Sequence, residues 1–194
     1  MANHAVLVLN KVAAFDVGSY NRSAVAAADI DNGNIFRLNT QTSASSGNTD
    51  DWWVTAPSAS ASQMNMLWMA ASPEVVVTQS GTLYYKGLNQ DPRLFTNLAG
   101  YTFDAVRLVK GDVFTLTSDG LSAASPTALI QATDGLYTWS LVSSASWSAF
   151  STSAGSFVSA YTSASYIGTT YISLGSGGID SQRIVAYKFV VVTD

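Results

Sequence analysis

The acidic residues and the single histidine are the side chains that could support catalysis in this chain. His4 is the only histidine, so a Ser-His-Asp triad would need Ser and Asp to converge on it from elsewhere. Glu74 is the only glutamate, and Asp91 or Asp104 would have to face it across a sugar in a glycosidase. Their spacing does not favour such a pair. Cysteine is absent, which excludes thiolate catalysis, disulfides and cysteine zinc sites together. The sequence therefore predicts no enzyme.

Two acidic segments could be taken for calcium sites. Asp29 to Gly33 begins like a calcium-binding loop, yet its glycine comes one position early and Thr40 stands where the loop needs glutamate. Asp50 and Asp51 are adjacent, and adjacent side chains point to opposite faces of a strand. We therefore predict a turn and a pair of solvated charges, with no metal and no cofactor.

The composition limits the partners that this chain can have. Charged residues make up 11% of the chain, less than half of the usual share of about 25%. The net charge is −4 and the nine Lys and Arg residues are scattered, whereas nucleic-acid binding needs a basic stripe. The apolar run at 5–9 is too short to cross a membrane and lacks the basic flank of a signal peptide. We expect no nucleic-acid partner, no membrane partner, and synthesis in a cytoplasm.

Alternating apolar residues and turn signals dominate the elements that must position any site. Residues 75–78 and 83–85 predict a hairpin around Ser80-Gly81, and 101–109 and 113–117 alternate on either side of Lys110-Gly111-Asp112. Asp31-Asn32-Gly33 predicts a hairpin between 24–30 and 34–38, and Asp134-Gly135 predicts a two-residue hairpin between 128–133 and 136–142.

The remaining segments complete an all-β pattern. Short strands are expected in the Ser/Ala-rich stretch 143–165, because aromatic residues recur there, and a further strand is expected at 166–174. The apolar last run, 185–191, predicts a strand in the middle of a sheet. Strands at this spacing indicate a β-sandwich, a jelly roll or a barrel, and we choose a β-sandwich or jelly-roll-like fold that is mostly antiparallel. Residues 4–9 could form a short strand or an arm. We choose an N-terminal arm, residues 1–22, outside the core, followed by a single all-β domain, residues 23–194.

Aromatic residues are the candidates for a binding surface. Alternation places one member of Trp52-Trp53 and one of Tyr84-Tyr85 outside the core, where a ring could stack on a sugar or anchor a protein interface. Packing within the sheet is the ordinary alternative for each of them. Trp147, Phe150 and Tyr161 lie in the Ser/Ala-rich stretch and could anchor contacts between subunits of a homo-oligomer, for which a trimer is the first choice.

The central half of the chain, about Ala24 to Leu121, resembles small virion proteins of tailed bacteriophages of the head decoration, or cement, type. The residues that carry this resemblance are Asp31-Asn32-Gly33, Trp53, Leu67-Trp68-Met69-Ala70, Tyr85-Lys86-Gly87-Leu88, Asp91-Pro92-Arg93, Phe95-Thr96-Asn97, Gly100, Phe103 and Gly111-Asp112. The resemblance implies a protein that binds the major capsid protein on the outside of the assembled head, often as a symmetric oligomer. The expected location is the virion, after synthesis in the host cytoplasm.

Two other functions remain open from the sequence. One is a carbohydrate-binding or host-adhesion module of a virion fibre, with Trp52 or Trp53 and Tyr84 or Tyr85 as the stacking platform. The other is a tail component.

Overall fold

The computed structural model describes residues 3–42, 51–57, 67–73, 77–80, 83–86, 92–121, 129–131, 137–142, 163–173 and 183–193. Strands predominate in these ranges, and the helices among them are single 3-10 turns at Ala13–Phe15, Gly18–Tyr20, Pro92–Leu94 and Ser118–Gly120. The predicted all-β class is therefore confirmed. None of these helices has the length and apolar character that crossing a membrane requires.

The strands form where alternating apolar side chains can be buried on one face of the sheet or on both. In chain order they are β1 (Leu7–Lys11), β2 (Asn21–Val25), β3 (Ile35–Gln41), β4 (Trp52–Thr55), β5 (Trp68–Ala70), β6 (Val77–Ser80), β7 (Leu83–Lys86), β8 (Thr102–Arg107), β9 (Val113–Thr117), β10 (Leu129–Gln131), β11 (Ser140–Val142), β12 (Ser163–Ser173) and β13 (Arg183–Thr193).

Six of these strands make an open sheet in the order β1-β9-β13-β12-β10-β11. All neighbouring pairs in it are antiparallel. The last strand lies between β9 and β12, and its Phe189 and Val191 are buried. The prediction that this apolar strand is central is confirmed.

Five shorter strands close into a barrel in the order β2-β4-β3-β5-β8. β2 and β4 pair in parallel and the other barrel pairs are antiparallel, so the mostly antiparallel prediction is confirmed. Strand alternation identifies a buried face but does not say whether a sheet closes on itself. For this reason the sequence left a sandwich, a jelly roll and a barrel open, and it did not predict a barrel beside an open sheet.

Two apolar clusters follow from alternation along the barrel strands. Phe36, Trp68 and Phe103 point into the barrel and form its core with small residues such as Ala24 and Ala105. Their neighbours point outward and pack against the six-stranded sheet, which makes a second core at the junction. The junction core includes Ile35, Met69, Val106 and Leu108 from the barrel side and Phe114, Leu116, Ile130, Trp139 and Phe189 from the sheet side.

The glycine turns form as predicted, but they do not all join paired strands. β6 and β7 pair as the predicted hairpin. Gly33 and Gly111 adopt φ of 87° and 96°, as turns of this kind need. However, β2 does not pair with β3, and β8 belongs to the barrel while β9 belongs to the open sheet. The hairpin prediction at Asp31-Asn32-Gly33 is wrong, whereas the turn predicted at Lys110-Gly111-Asp112 is present and joins strands of different sheets. Both turns direct the chain toward other strands whose apolar faces bury its own.

β10 pairs with β11, as the sequence predicted. Gln131 pairs with Ser140, whereas a regular two-residue turn at Asp134-Gly135 would pair Gln131 with Thr138, so the register differs from the predicted one by two residues. The predicted turn itself, Asp134-Gly135, and the stretch 143–162 with its predicted strands lie outside the described residues. The strand expected at 166–174 is present as β12.

The N-terminal segment differs most from its prediction. β1 pairs with β9 in the six-stranded sheet, and Ala5, Leu7, Val12 and Ala14 are buried in the junction core. The expectation of an arm outside the core is therefore wrong for these residues. Periodicity is hard to detect over the five apolar residues 5–9, so the sequence did not decide between a strand and an arm. In the structure this segment pairs with the edge of β9.

Candidate binding surface

The structure places two of the seven predicted site residues with their side chains. Trp52 and Trp53 lie on β4, next to the C-terminal ends of β2 and β3. Tyr84 and Tyr85 lie on β7, opposite Gln79 and Thr78, and only their backbone is described. Trp147, Phe150 and Tyr161 lie outside the described residues. The interface and stacking roles of these residues stay predictions.

Trp53 stands on the outer surface of the barrel. Val54, its neighbour on β4, belongs to the barrel core, so alternation turns Trp53 away from that core. Its side chain is 39% exposed, while Trp52 on the inward side of β4 is half-buried. An indole that keeps this much surface in water is available for stacking or for insertion into a partner.

Leu98 and Tyr101 are exposed beside the same strands, 54% and 70% respectively. Trp53 and Thr102 both pair with Val25, one from each side, so their backbones are about two strand spacings, about 10 Å, apart. Tyr101 directly precedes Thr102. We call Trp53, Leu98 and Tyr101 the aromatic patch.

A tight turn holds the exposed residues of the patch. The Tyr101 amide donates to the Leu98 carbonyl at 3.2 Å, and Gly100 sits between them with φ of 78°. The Gly100 amide donates to the Ala26 carbonyl at 2.9 Å, which ties the turn to the end of β2. The Ala99 amide donates to Asp29 Oδ1 at 2.9 Å. The turn is thus fixed on both sides, which lowers the entropy lost when its side chains bind a partner.

The buried side-chain amides of Asn97 and Asn32 hold the residues that precede this turn. Asn97 Nδ2 donates to the Ile30 carbonyl at 2.9 Å and to Asn32 Oδ1 at 3.2 Å. Asn32 Nδ2 in turn donates to the Ser72 carbonyl at 2.8 Å, and the Ser72 amide donates back to Asn32 Oδ1 at 3.1 Å. Both asparagines are almost fully buried, and a satisfied buried network of this kind specifies one arrangement of the chain.

Acidic and hydroxyl groups surround the patch. The Thr102 hydroxyl donates to Asp51 Oδ2 at 2.9 Å, which links β8 to the start of β4 across β2. Asp29 is exposed and places a carboxylate beside the turn of Leu98 and Tyr101, whereas Asp51 is buried and accepts from Thr102. This combination suits a protein interface with a polar rim, or a sugar whose hydroxyl groups need acceptors.

The residues considered for catalysis do not come together. His4 Nδ1 lies 2.8 Å from Asp31 Oδ1, and the Ala5 amide donates to Asp31 Oδ2 at 3.2 Å. This pair fastens the start of the chain to the Asn32-Gly33 turn, and no serine completes a triad in the described ranges. In the same ranges, no group of three or more His, Asp or Glu side chains could hold a metal ion. Glu74 and Asp91 lie outside the described residues.

Sequence reasoning missed Leu98, and it assigned Tyr101 to a strand. A large apolar residue within the Asn97-Leu98-Ala99-Gly100 turn was the available signal, because turns are solvent-exposed and apolar side chains there are unusual. The buried roles of Asn32 and Asn97 carried no sequence signal, since asparagine is common in exposed turns as well.

Comparisons of the chain with protein-family models, with curated proteins and with solved structures found no match.

Proposed function

We propose that this protein is a head decoration protein that binds the outer surface of an assembled phage capsid and stabilises it. The observation that carries the proposal is the aromatic patch: exposed apolar side chains on a turn that buried hydrogen bonds hold in place. The resemblance of the central half of the chain to virion proteins supplies the partner, which is the major capsid protein.

The composition of the surface supports this proposal. Only 11% of the chain is charged, so little charge has to be desolvated when the protein is buried against a neighbour. Interface centres are depleted in charged residues and enriched in Tyr and Trp, which is the composition of the aromatic patch.

Stabilisation of the shell then follows from mass action. A protein that binds the assembled shell and not its dissociated subunits lowers the free energy of the assembled state. At a free concentration of about 100 times Kd, each binding site contributes about 2.7 kcal/mol.

In the direct test, the purified protein is mixed with mature heads that lack it, taken from the phage that encodes it. Co-sedimentation and a higher melting temperature of the heads are the expected results. The Trp53→Ala/Tyr101→Ala variant should need at least about ten times the protein concentration to give the same co-sedimentation and the same rise in melting temperature. This corresponds to a loss of about 1.4 kcal/mol in binding free energy. The matched control is Tyr171→Ala, which removes a 61% exposed tyrosine from β12 in the other sheet. No binding by the unmodified protein at micromolar concentration would contradict the proposal.

We further propose that the protein is a homo-oligomer, with a trimer as the first choice. Light scattering on the free protein should give a mass near three times 20.5 kDa. A strict monomer would remove the proposed subunit contacts of Trp147, Phe150 and Tyr161 and would leave attachment as single copies.

Carbohydrate binding is the second candidate, and the ring of Trp53 beside the Asp51–Thr102 hydrogen bond favours it. A glycan array would show binding that Trp53→Ala abolishes. A blank array together with binding to heads would favour decoration. A tail component, the remaining alternative, would form rings or tubes visible by electron microscopy.

A further inference from the structure

Two arginines lie close together at the end of the barrel opposite the aromatic patch. Arg22 pairs with Ala105 across β2 and β8, and Arg107 follows two residues later on β8. Both therefore project on the side of the strands that carries Ala105 into the barrel core. Diagonal neighbours of this kind are about 7–8 Å apart, which is within reach of one shared ligand. We call Arg22 and Arg107 the arginine pair.

Each guanidinium rests on an aromatic ring. The Cζ atom of Arg22 lies 6.0 Å from the ring centroid of Trp68, and that of Arg107 lies 5.3 Å from the ring centroid of Tyr20. Trp68 is itself the strand partner of Arg107 on β5. Cation–π contacts hold the guanidinium groups in position, but they leave both positive charges uncompensated.

The described residues supply no carboxylate to this pair. Neither arginine forms an ion pair with a carboxylate of the described residues. Arg22 donates its Nη1–H to the neighbouring Asn21 carbonyl at 2.8 Å. The Nε–H of Arg107 is buried and has no acceptor among the described residues. Two like charges at this spacing repel each other, and a buried donor without an acceptor is unfavourable, so the pair lacks, among the described residues, the counter-charge and the acceptor that an anion provides.

A shallow groove of about 440 Å³ begins beside Arg22. Leu9, Phe15, Ala71 and Val106 line its apolar part, and Asp104 lies on its wall. Asp104 is on the opposite side of β8 from Arg107, by alternation, and forms no ion pair with Arg22. Val106 lies on that opposite side as well, so the groove borders Arg22 and is not lined by Arg107. The groove therefore suits apolar side chains beside Arg22 and disfavours a second negative charge.

We propose that the arginine pair binds the carboxylate of an acidic side chain in a partner protein, with an apolar neighbour of that residue in the groove beside Arg22. Planar guanidinium groups donate paired hydrogen bonds to a carboxylate. A polyanion such as a nucleic acid is disfavoured, because the protein as a whole carries a net charge of −4. The inference does not depend on the proposed function, since this site is separate from the aromatic patch.

The test uses the full-length protein and a fluorescein-labelled peptide with one Glu between two Leu residues and with Gly and Ser at its ends. Fluorescence anisotropy should show saturable binding below about 1 mM, and the same peptide with Gln in place of Glu should bind at least about tenfold more weakly. Arg22→Gln and Arg107→Gln should each weaken binding of the Glu peptide by about tenfold or more. Arg183→Gln is the matched control, because it removes the same charge from an exposed position on β13.

A folding control and a competition experiment with two anions complete the test. Should Arg107→Gln fail to fold, as thermal melting would show, the exposed Arg22→Gln variant decides the outcome alone. Equal binding of the Glu and Gln peptides, or equal binding by Arg22→Gln and Arg183→Gln, would overturn the proposal. Displacement of the peptide by inorganic phosphate at a lower concentration than by acetate would also overturn it, because the site would then be a general anion site.

Discussion

Two tryptophans, Trp139 at the junction and Trp53 on the barrel surface, show two opposite uses of the same side chain. Trp139 is fully buried, stacks on Phe114 with ring centroids 5.6 Å apart, and donates its Nε1–H to the Gly33 carbonyl at 3.1 Å. Trp53 keeps 39% of its surface exposed. The buried indole has both its apolar face and its polar edge satisfied inside the protein, so its role is structural. The exposed indole is available to a partner.

The glycines of the two regions differ in the same way. A Cβ atom on Gly33 would lie 2.3 Å from Leu116 Cδ1 in the junction core, whereas a Cβ on Gly100, in the turn of the aromatic patch, would meet nothing within 4 Å. The junction core therefore has no space for one additional methyl group at Gly33, whereas the turn at Gly100 has space for one. Substitutions should damage folding in the first region and binding in the second.

Truncation of the chain to begin at Asn21 should have the largest effect. It removes β1 from its pairing with β9, together with Ala5, Leu7, Val12 and Ala14 from the junction core. We expect the loss to exceed a typical total stability of about 5–15 kcal/mol, so that the fragment is unfolded. Circular dichroism and thermal melting check this. A cooperative melting transition in the fragment would mean that β1 is dispensable.

Trp139→Ala should follow, with a loss of about 3–5 kcal/mol in the free energy of unfolding, because it leaves a large cavity next to Phe114. Trp139→Phe fills most of that space but leaves the Gly33 carbonyl without its donor. It should lose about 1–3 kcal/mol. Urea denaturation measures both values. Similar losses for the two variants would place the stabilisation in the hydrogen bond rather than in the packing.

Gly33→Ala and Gly100→Ala form a matched pair with φ of 87° and 78°. Both substitutions carry the strain of a side chain in the left-handed region, about 1–2 kcal/mol. Gly33→Ala adds the collision with Leu116, which contributes about 1–3 kcal/mol more. The difference between their urea midpoints therefore measures the packing of the junction. Equal midpoints would show that Leu116 moves aside without loss.

Sequence reasoning identified the strand segments because alternation and turn residues are local signals. The β6–β7 hairpin, the strand at β12 and the central position of β13 were predicted from such signals and confirmed. Pairing across long separations was not predicted. The Asn32-Gly33 and Gly111 turns look like hairpin turns, but the partners of their flanking strands are decided by burial at the junction. No local pattern records that burial.

The candidate surfaces were predicted only in part for the same reason. Trp53 was named as one of two possible outward residues, since alternation restricts the choice to one member of the pair. The pairing of Val25 with both Trp53 and Thr102 brings the turn of Leu98 and Tyr101 to the same end of the barrel as Trp53, which joins positions far apart in the chain. The arginine pair also depends on register, because Arg22 and Arg107 are brought together only when β2 aligns with β8.

Trp53→Ala should have the smallest effect on folding and so gives the sharpest test of the comparison with Trp139. Its side chain lies outside the barrel core, and substitutions at surface positions usually change the free energy of unfolding by about 0.5 kcal/mol or less. A partly exposed indole still covers some of the strand beneath it, so we expect a loss of up to about 1 kcal/mol in urea denaturation. Binding to heads, or to a glycan, should fall by at least tenfold, about 1.4 kcal/mol, in the same variant. A loss of stability close to that of Trp139→Ala would show that Trp53 is a packing residue, and the aromatic patch would then no longer support a binding role.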